Sequence, residues 1–149
     1  MGRPLNSLAK SNMLVLSVLE VEKVAYELAR QLLSYDEPIP DFSTRFPNVL
    51  ESCLQVPFQR YRGKYLYHGF TTKAAVLFYL MIKNHPFQNG NKRIAVMTLM
   101  YFLHKNKKWI KVDNREFYNF AVWVAESNPR VKEEVTLAIE KFIRNYLTG

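Results

Sequence analysis

Two apolar segments, residues 74–82 and 94–103, stand on either side of one short polar break in this chain. Both outrun an ordinary strand, contain no glycine or proline, and are rich in alanine, leucine, methionine and aromatic residues. The first predicts a helix that starts at a Thr71 or Thr72 cap and runs through Ala75, Leu77, Phe78, Leu80 and Met81 to about Lys83. The second predicts a helix from about Asn91 to Lys105. It carries Ile94, Ala95, Met97, Thr98, Met100, Tyr101 and Phe102, apolar nearly all round, and belongs at the centre of a fold. Two helices that must be covered on several sides imply an all-α bundle, with the polar break as a tight connection between its innermost members.

The covering elements are legible on both sides. Residues 13–33 place Leu14, Val18, Val21, Ala25, Leu28 and Leu32 at three- and four-residue steps, an amphipathic helix that Pro38 and Pro40 cannot continue. Residues 46–54 predict a short second helix. In residues 55–70, Pro57, Gly63 and Gly69 surround Tyr61, Tyr65, Tyr67 and Phe70, the signature of a hairpin-like flap. Asp113 followed by Glu116 reads as a capping box opening a helix with Phe117, Phe120 and Val124 inward and Trp123 open to either side. Asn128 before Pro129 starts a last helix that reaches about Tyr146. The expectation is a compact bundle of about six helices with a short β-hairpin flap beside the connecting loop. Residues 1–12 are expected to be a loose arm and 13–149 a single domain, a length that can bury a real core.

The break itself reads His85-Pro86-Phe87-Gln88-Asn89-Gly90-Asn91-Lys92-Arg93. A helix beginning at Asn91 offers unpaired N–H groups and the positive end of its macrodipole to an anion, phosphate above all. Gly90 can take positive φ and let those amides converge. Lys92 adds a point charge and Arg93 a planar fork. His85 can hold a proton near neutral pH. Taken singly, each residue has an ordinary structural role; taken together, the nine form a phosphate cradle with a base at its lip.

This stretch resembles the signature of the Fic/Doc family, HxFx(D/E)GNGR in the Fic branch and HxFx(D/N)(A/G)NKR in the Doc branch. Asn91-Lys92-Arg93 is similar to the Doc ("death on curing") form, and Val96 stands where many Fic motifs have a second arginine. The resemblance implies a compact helical fold and a transferase acting on a protein hydroxyl with a nucleoside triphosphate, ATP or another, and Mg²⁺. It implies His85 as general base, with Lys92 and Arg93 also catalytic. Gly90, Asn91, Lys92 and Arg93 would hold the nucleotide phosphates. Asn89 would be a weak metal ligand at a position usually filled by a carboxylate. The flap residues Arg62, Gly63, Lys64 and Tyr65 would dock the target. Lysine at position 92 goes with transfer of the terminal phosphate, and glycine there with nucleotidyl transfer, the alternative chemistry. A translation factor is one conceivable target, and the resemblance implies a separate antitoxin-like inhibitor chain. Thr136 and Glu140 only partly match the inhibitory glutamate helix of many Fic proteins and read as structural.

Charge is distributed unevenly. Residues 52–112 contain no carboxylate side chain but 11 Lys/Arg and all three histidines, whereas the rest of the chain is net acidic. Such asymmetry points to an anionic partner. A nucleic-acid-binding module without catalysis is therefore the reading from another class. Nucleic acid is not the expected partner, because the positive charge is expected to converge on the histidine motif. Cys53 is the lone cysteine, expected to be a buried small hydrophobe in a cytoplasmic protein. No apolar run is long enough to span a bilayer.

Overall fold

The structure is a computed structural model that describes residues 13–33 and 38–148; residues 1–12 lie outside the described residues. The first helical rod begins at α1 (Val18–Glu20), widens through a π-helical stretch (Val21–Tyr26) and continues as α2 (Glu27–Leu32). It starts five residues later than the apolar periodicity suggests because Ser17 caps it. The Ser17 hydroxyl accepts from the Glu20 amide at 3.2 Å, and the Glu20 carboxylate accepts from the Ser17 amide at 2.9 Å. A short 3-10 turn (Phe42–Thr44) leads to α3 (Pro47–Gln55), with proline at its first position, and a second 3-10 turn (Val56–Phe58) follows.

Strands β1 (Arg60–Tyr61) and β2 (Lys64–Tyr65) form an antiparallel hairpin whose tip, Arg62 and Gly63, has positive φ at both residues, as a tight type I′ turn requires. Helices α4 (Phe70–Lys83) and α5 (Asn91–Lys105) flank the polar break. After β3 (Trp109–Ile110) come α6 (Asn114–Glu126), a 3-10 turn (Pro129–Val131), α7 (Lys132–Tyr146) and β4 (Leu147–Thr148). β3 pairs antiparallel with β4, a closure that no alternating pattern in the sequence announced.

The described residues thus form six helical rods around one core. Every residue of α4 from Lys73 to Ile82 is buried, and α5 is buried from Arg93 to Leu99. α4 packs on α5 and α7, and α5 also packs on the π-helical stretch and α6. The central placement of both helices follows from their apolar faces. The start of α4 does not follow the threonine-cap expectation. Gly69, at φ +87°, is the N-cap and no side chain caps the helix. The Thr72 hydroxyl donates instead to the buried Glu140 carboxylate at 3.1 Å. Asp113 caps α6 by accepting from the Arg115 and Glu116 amides, but the Glu116 carboxylate accepts from the Tyr146 hydroxyl at 2.7 Å, so the box is half closed. Cys53 is buried and its thiol donates to the Leu80 carbonyl at 3.4 Å; burial pushes that thiol up to about 11. Among the described residues no helix is long and apolar enough to cross a membrane.

Candidate active site

The loop between α4 and α5 is fixed from beneath. Phe87 is buried in an aromatic cluster, 6.3 Å from the Tyr26 ring and 5.8 Å from Phe42, which meets Tyr26 edge-on at 5.2 Å. The Pro86 carbonyl accepts from the Phe46 amide at 2.9 Å, tying the loop to the start of α3. The Asn91 side chain brackets Phe87: its oxygen accepts from the Phe87 amide at 2.9 Å and its nitrogen donates to the Phe87 carbonyl at 2.8 Å. This pair of bonds fixes which way the amide faces.

The second Asn91 amide proton lies toward His85 Nδ1, at 3.4 Å. His85 is exposed and holds φ +52°, the left-handed region, a conformation that costs of order 1 kcal/mol and clusters at functional sites. With Nδ1 accepting, the neutral ring carries its proton on Nε2. A ring accepting a proton at Nε2 would have to carry its own proton on Nδ1, and so would have to give up the Asn91 contact.

Gly90 caps α5 in the left-handed conformation, φ +81°. A side chain there is excluded twice over, because a Cβ would also stand 2.7 Å from Ile39 Cγ1. The first backbone bond of α5 is Ile94 to Gly90, at 2.9 Å, so the amides of Asn91, Lys92 and Arg93 precede the helix's own bonding and no side chain caps them. Lys92 is half-buried at this end and makes no hydrogen bond or ion pair among the described residues. Arg93 points inward: it is 3% exposed, and its guanidinium reaches the Leu33 carbonyl at the end of α2, at 3.5 Å. Asn89 is half-buried with no side-chain bond among the described residues, and no group of three His, Cys, Asp or Glu that could hold a metal occurs among them. The donor set therefore fits phosphate well. It gives a hard cation one neutral amide oxygen at most.

The hairpin is not beside this loop. Lys73, in the opening turn of α4, holds it: the ammonium lies 4.1 Å from the Tyr65 ring and donates to the Tyr67 carbonyl. His85 follows the other end of the same helix, about 15 Å further along its axis at 1.5 Å per residue. Arg62, Gly63, Lys64 and Tyr65 thus stand apart from His85, Gly90 and Lys92. The segment that touches the motif is the one carrying Ile39, Phe42 and Phe46. Sequence reasoning passed over it because its apolar residues, scattered among prolines, show no periodicity.

Residues 18–103 match the family model described as Fic/DOC family, more than half of the chain. The chain belongs to the Fic/DOC family. No curated protein and no solved structure matches it. The matched span runs from the Ser17-capped helix through α5 and takes in both halves of the aromatic clamp under the loop. Membership makes it one of a family of transferases that typically move phosphate-bearing groups of nucleotides onto proteins.

Proposed function

We propose that this Fic/DOC protein is a Doc-like protein kinase, transferring the terminal phosphate of a nucleoside triphosphate to a hydroxyl side chain of a protein target. The observation that carries the reading is Lys92, a cation without a partner among the described residues, at the amino end of a 15-residue helix whose first amides are free of helical bonds. The triphosphate would sit on the amides of Asn91, Lys92 and Arg93, presented by the left-handed turn at Gly90. Lys92 would neutralise charge on the group in transit. His85 would take the proton of the attacking hydroxyl as its oxygen bonds to the terminal phosphorus and the nucleoside diphosphate leaves. Mg²⁺ would supply charge neutralisation, held mainly through phosphate oxygens, with Asn89 as the side chain placed to add one oxygen. Arg93 would act from behind, steadying the α2 terminus against α5. A target hydroxyl would meet the ledge formed by Ile39 to Phe46 before it met the hairpin.

Restraint by a separate antitoxin-like chain is the corresponding reading for regulation. Glu140 is taken up by Thr72 and by Arg144, at 3.1 Å each, on the side of α4 away from His85. The test is parallel incubation of a bacterial lysate with γ-labelled and α-labelled ATP. Label should reach protein from the γ position only, and Lys92→Gly should admit some α-label by reopening the space a nucleotide's inner phosphates need. Transfer of α-label by the unaltered protein defeats the kinase reading in favour of nucleotidyl transfer.

A further inference from the structure

We propose that the pole of the molecule opposite the motif loop binds single-stranded nucleic acid. The cations of the acid-free window do not converge on the histidine motif: Lys92 and Arg93 lie there, and Lys83 beside it is turned to the Ala125 and Ser127 carbonyls. Most gather where α4 begins and α5 ends. There Phe70 stacks on Phe102 with ring centres 5.2 Å apart, Lys108 Nζ lies 5.3 Å from the Phe70 ring, and Lys73 fastens the hairpin alongside. Arg60, Arg62, Lys64 and Lys107 are exposed on this pole. Of its acidic neighbours, Glu20 holds Lys105 at 2.6 Å and Glu140 holds Arg144, while Asp113 caps α6 and Glu116 accepts from the Tyr146 hydroxyl. Lys107 and Lys108 have no ion pair among the described residues.

Two aromatic stations accompany the charge. A cavity of about 580 Å³ is lined by Tyr101, His104, Lys105, Lys107, Lys108 and Trp109. Trp109 is 43% exposed and meets the His104 ring edge-on at 6.1 Å, so ring surface is left open to a planar group. On the hairpin, Tyr61 is 62% exposed with the Arg62 guanidinium 5.3 Å from its ring. Cations interleaved with open rings suit a strand whose bases are unstacked, since each base can lie on a ring while its phosphate meets a lysine or arginine. A duplex keeps its bases inside and would leave the rings unused. A polyglutamate would satisfy the lysines but has no ring to lay on Trp109.

The experiment uses the full chain and fluorescein-labelled U12, dT12, a 12-base-pair DNA duplex and a 12-residue polyglutamate, with anisotropy read at 50 and 200 mM salt. U12 or dT12 should bind at least tenfold more tightly than the duplex and the polyglutamate, more weakly at the higher salt, and with quenching of tryptophan fluorescence that Trp109→Phe reduces. Lys107→Glu with Lys108→Glu should weaken binding more than tenfold. Arg130→Glu with Lys132→Glu, the same charge change on exposed residues where α7 begins, should weaken it less than threefold. Preference between U12 and dT12 reports whether a 2′-hydroxyl is read. Equal loss in both double variants, equal or tighter binding of duplex or polyglutamate, or no binding of either strand overturns the proposal. The labelled-ATP outcome at the motif is read separately, so either reading can fail alone.

Discussion

Gly90 shows how a single position is set by two independent constraints. Its φ of +81° disfavours any L side chain, and Ile39 occupies the space a Cβ would need. Gly90→Ala should therefore cost about 2 kcal/mol, more than the strain of a left-handed alanine alone. Urea denaturation measures this, and combining Gly90→Ala with Ile39→Ala should leave a smaller further loss than the two changes sum to, because the clash is shared. Strict additivity would show that Ile39 does not press on this position. His85 presents the opposite case: exposed and held only by the 3.4 Å contact from Asn91, it contributes little to folding. His85→Ala should abolish group transfer while leaving the unfolding midpoint within a few degrees of wild type, since alanine keeps the left-handed backbone and only the Asn91 contact is lost. Near-wild-type transfer by that variant would remove His85 from the mechanism.

At the scale of elements, what could be read in the sequence was whatever a repeated pattern wrote down. The helices flanking the motif, the capped start at Asp113 and the proline start after Asn128 all appear where the spacing of apolar and capping residues put them. The π-helical stretch from Val21 to Tyr26 was not legible, because widening a helix by one residue per turn leaves the apolar spacing almost unchanged. The hairpin was legible as a turn, but its position was not: that depends on Lys73, a charged residue on an apolar helix, which is 2% exposed and bonds back to Tyr67. Desolvation by burial pulls the Lys73 ammonium below the ordinary lysine range. With a folded pKa under the unfolded one, the unfolded chain binds more protons between the two values, so this residue makes stability rise with pH there. Lys73→Met should lose that rise. Denaturation in urea between pH 8 and 10.5 should show wild type gaining on the variant as pH increases. A constant difference across the range would mean that the buried ammonium titrates as it does in the unfolded chain.

For the molecule as a whole, the motif and its clamp come from parts of the chain far apart in sequence: Tyr26, Phe42 and Phe46 hold a loop whose chemistry lies at residues 85–93. The nine-residue signature made a candidate anion site readable, while the clamp lacked any local signal because its members meet only after folding. On the proposed reading this architecture would link ligand binding to global stability, since a triphosphate on the α5 amides would contact a loop that three other elements support. Any ligand that binds the folded state alone raises stability by RT ln(1 + [L]/Kd), about 2.7 kcal/mol at a hundredfold excess over Kd. Saturating ATP with Mg²⁺ should thus raise the melting temperature of the wild-type chain by several degrees. His85→Ala should keep that shift, because the imidazole is assigned to the hydroxyl and not to the phosphates. Lys92→Ala should lose most of it, with its own melting temperature in the absence of nucleotide close to wild type, because the lysine has no partner among the described residues to forfeit. The shift is read by differential scanning fluorimetry at two nucleotide concentrations. A full shift in Lys92→Ala, or none in wild type, would place the triphosphate away from the amino end of α5 and with it the proposed chemistry.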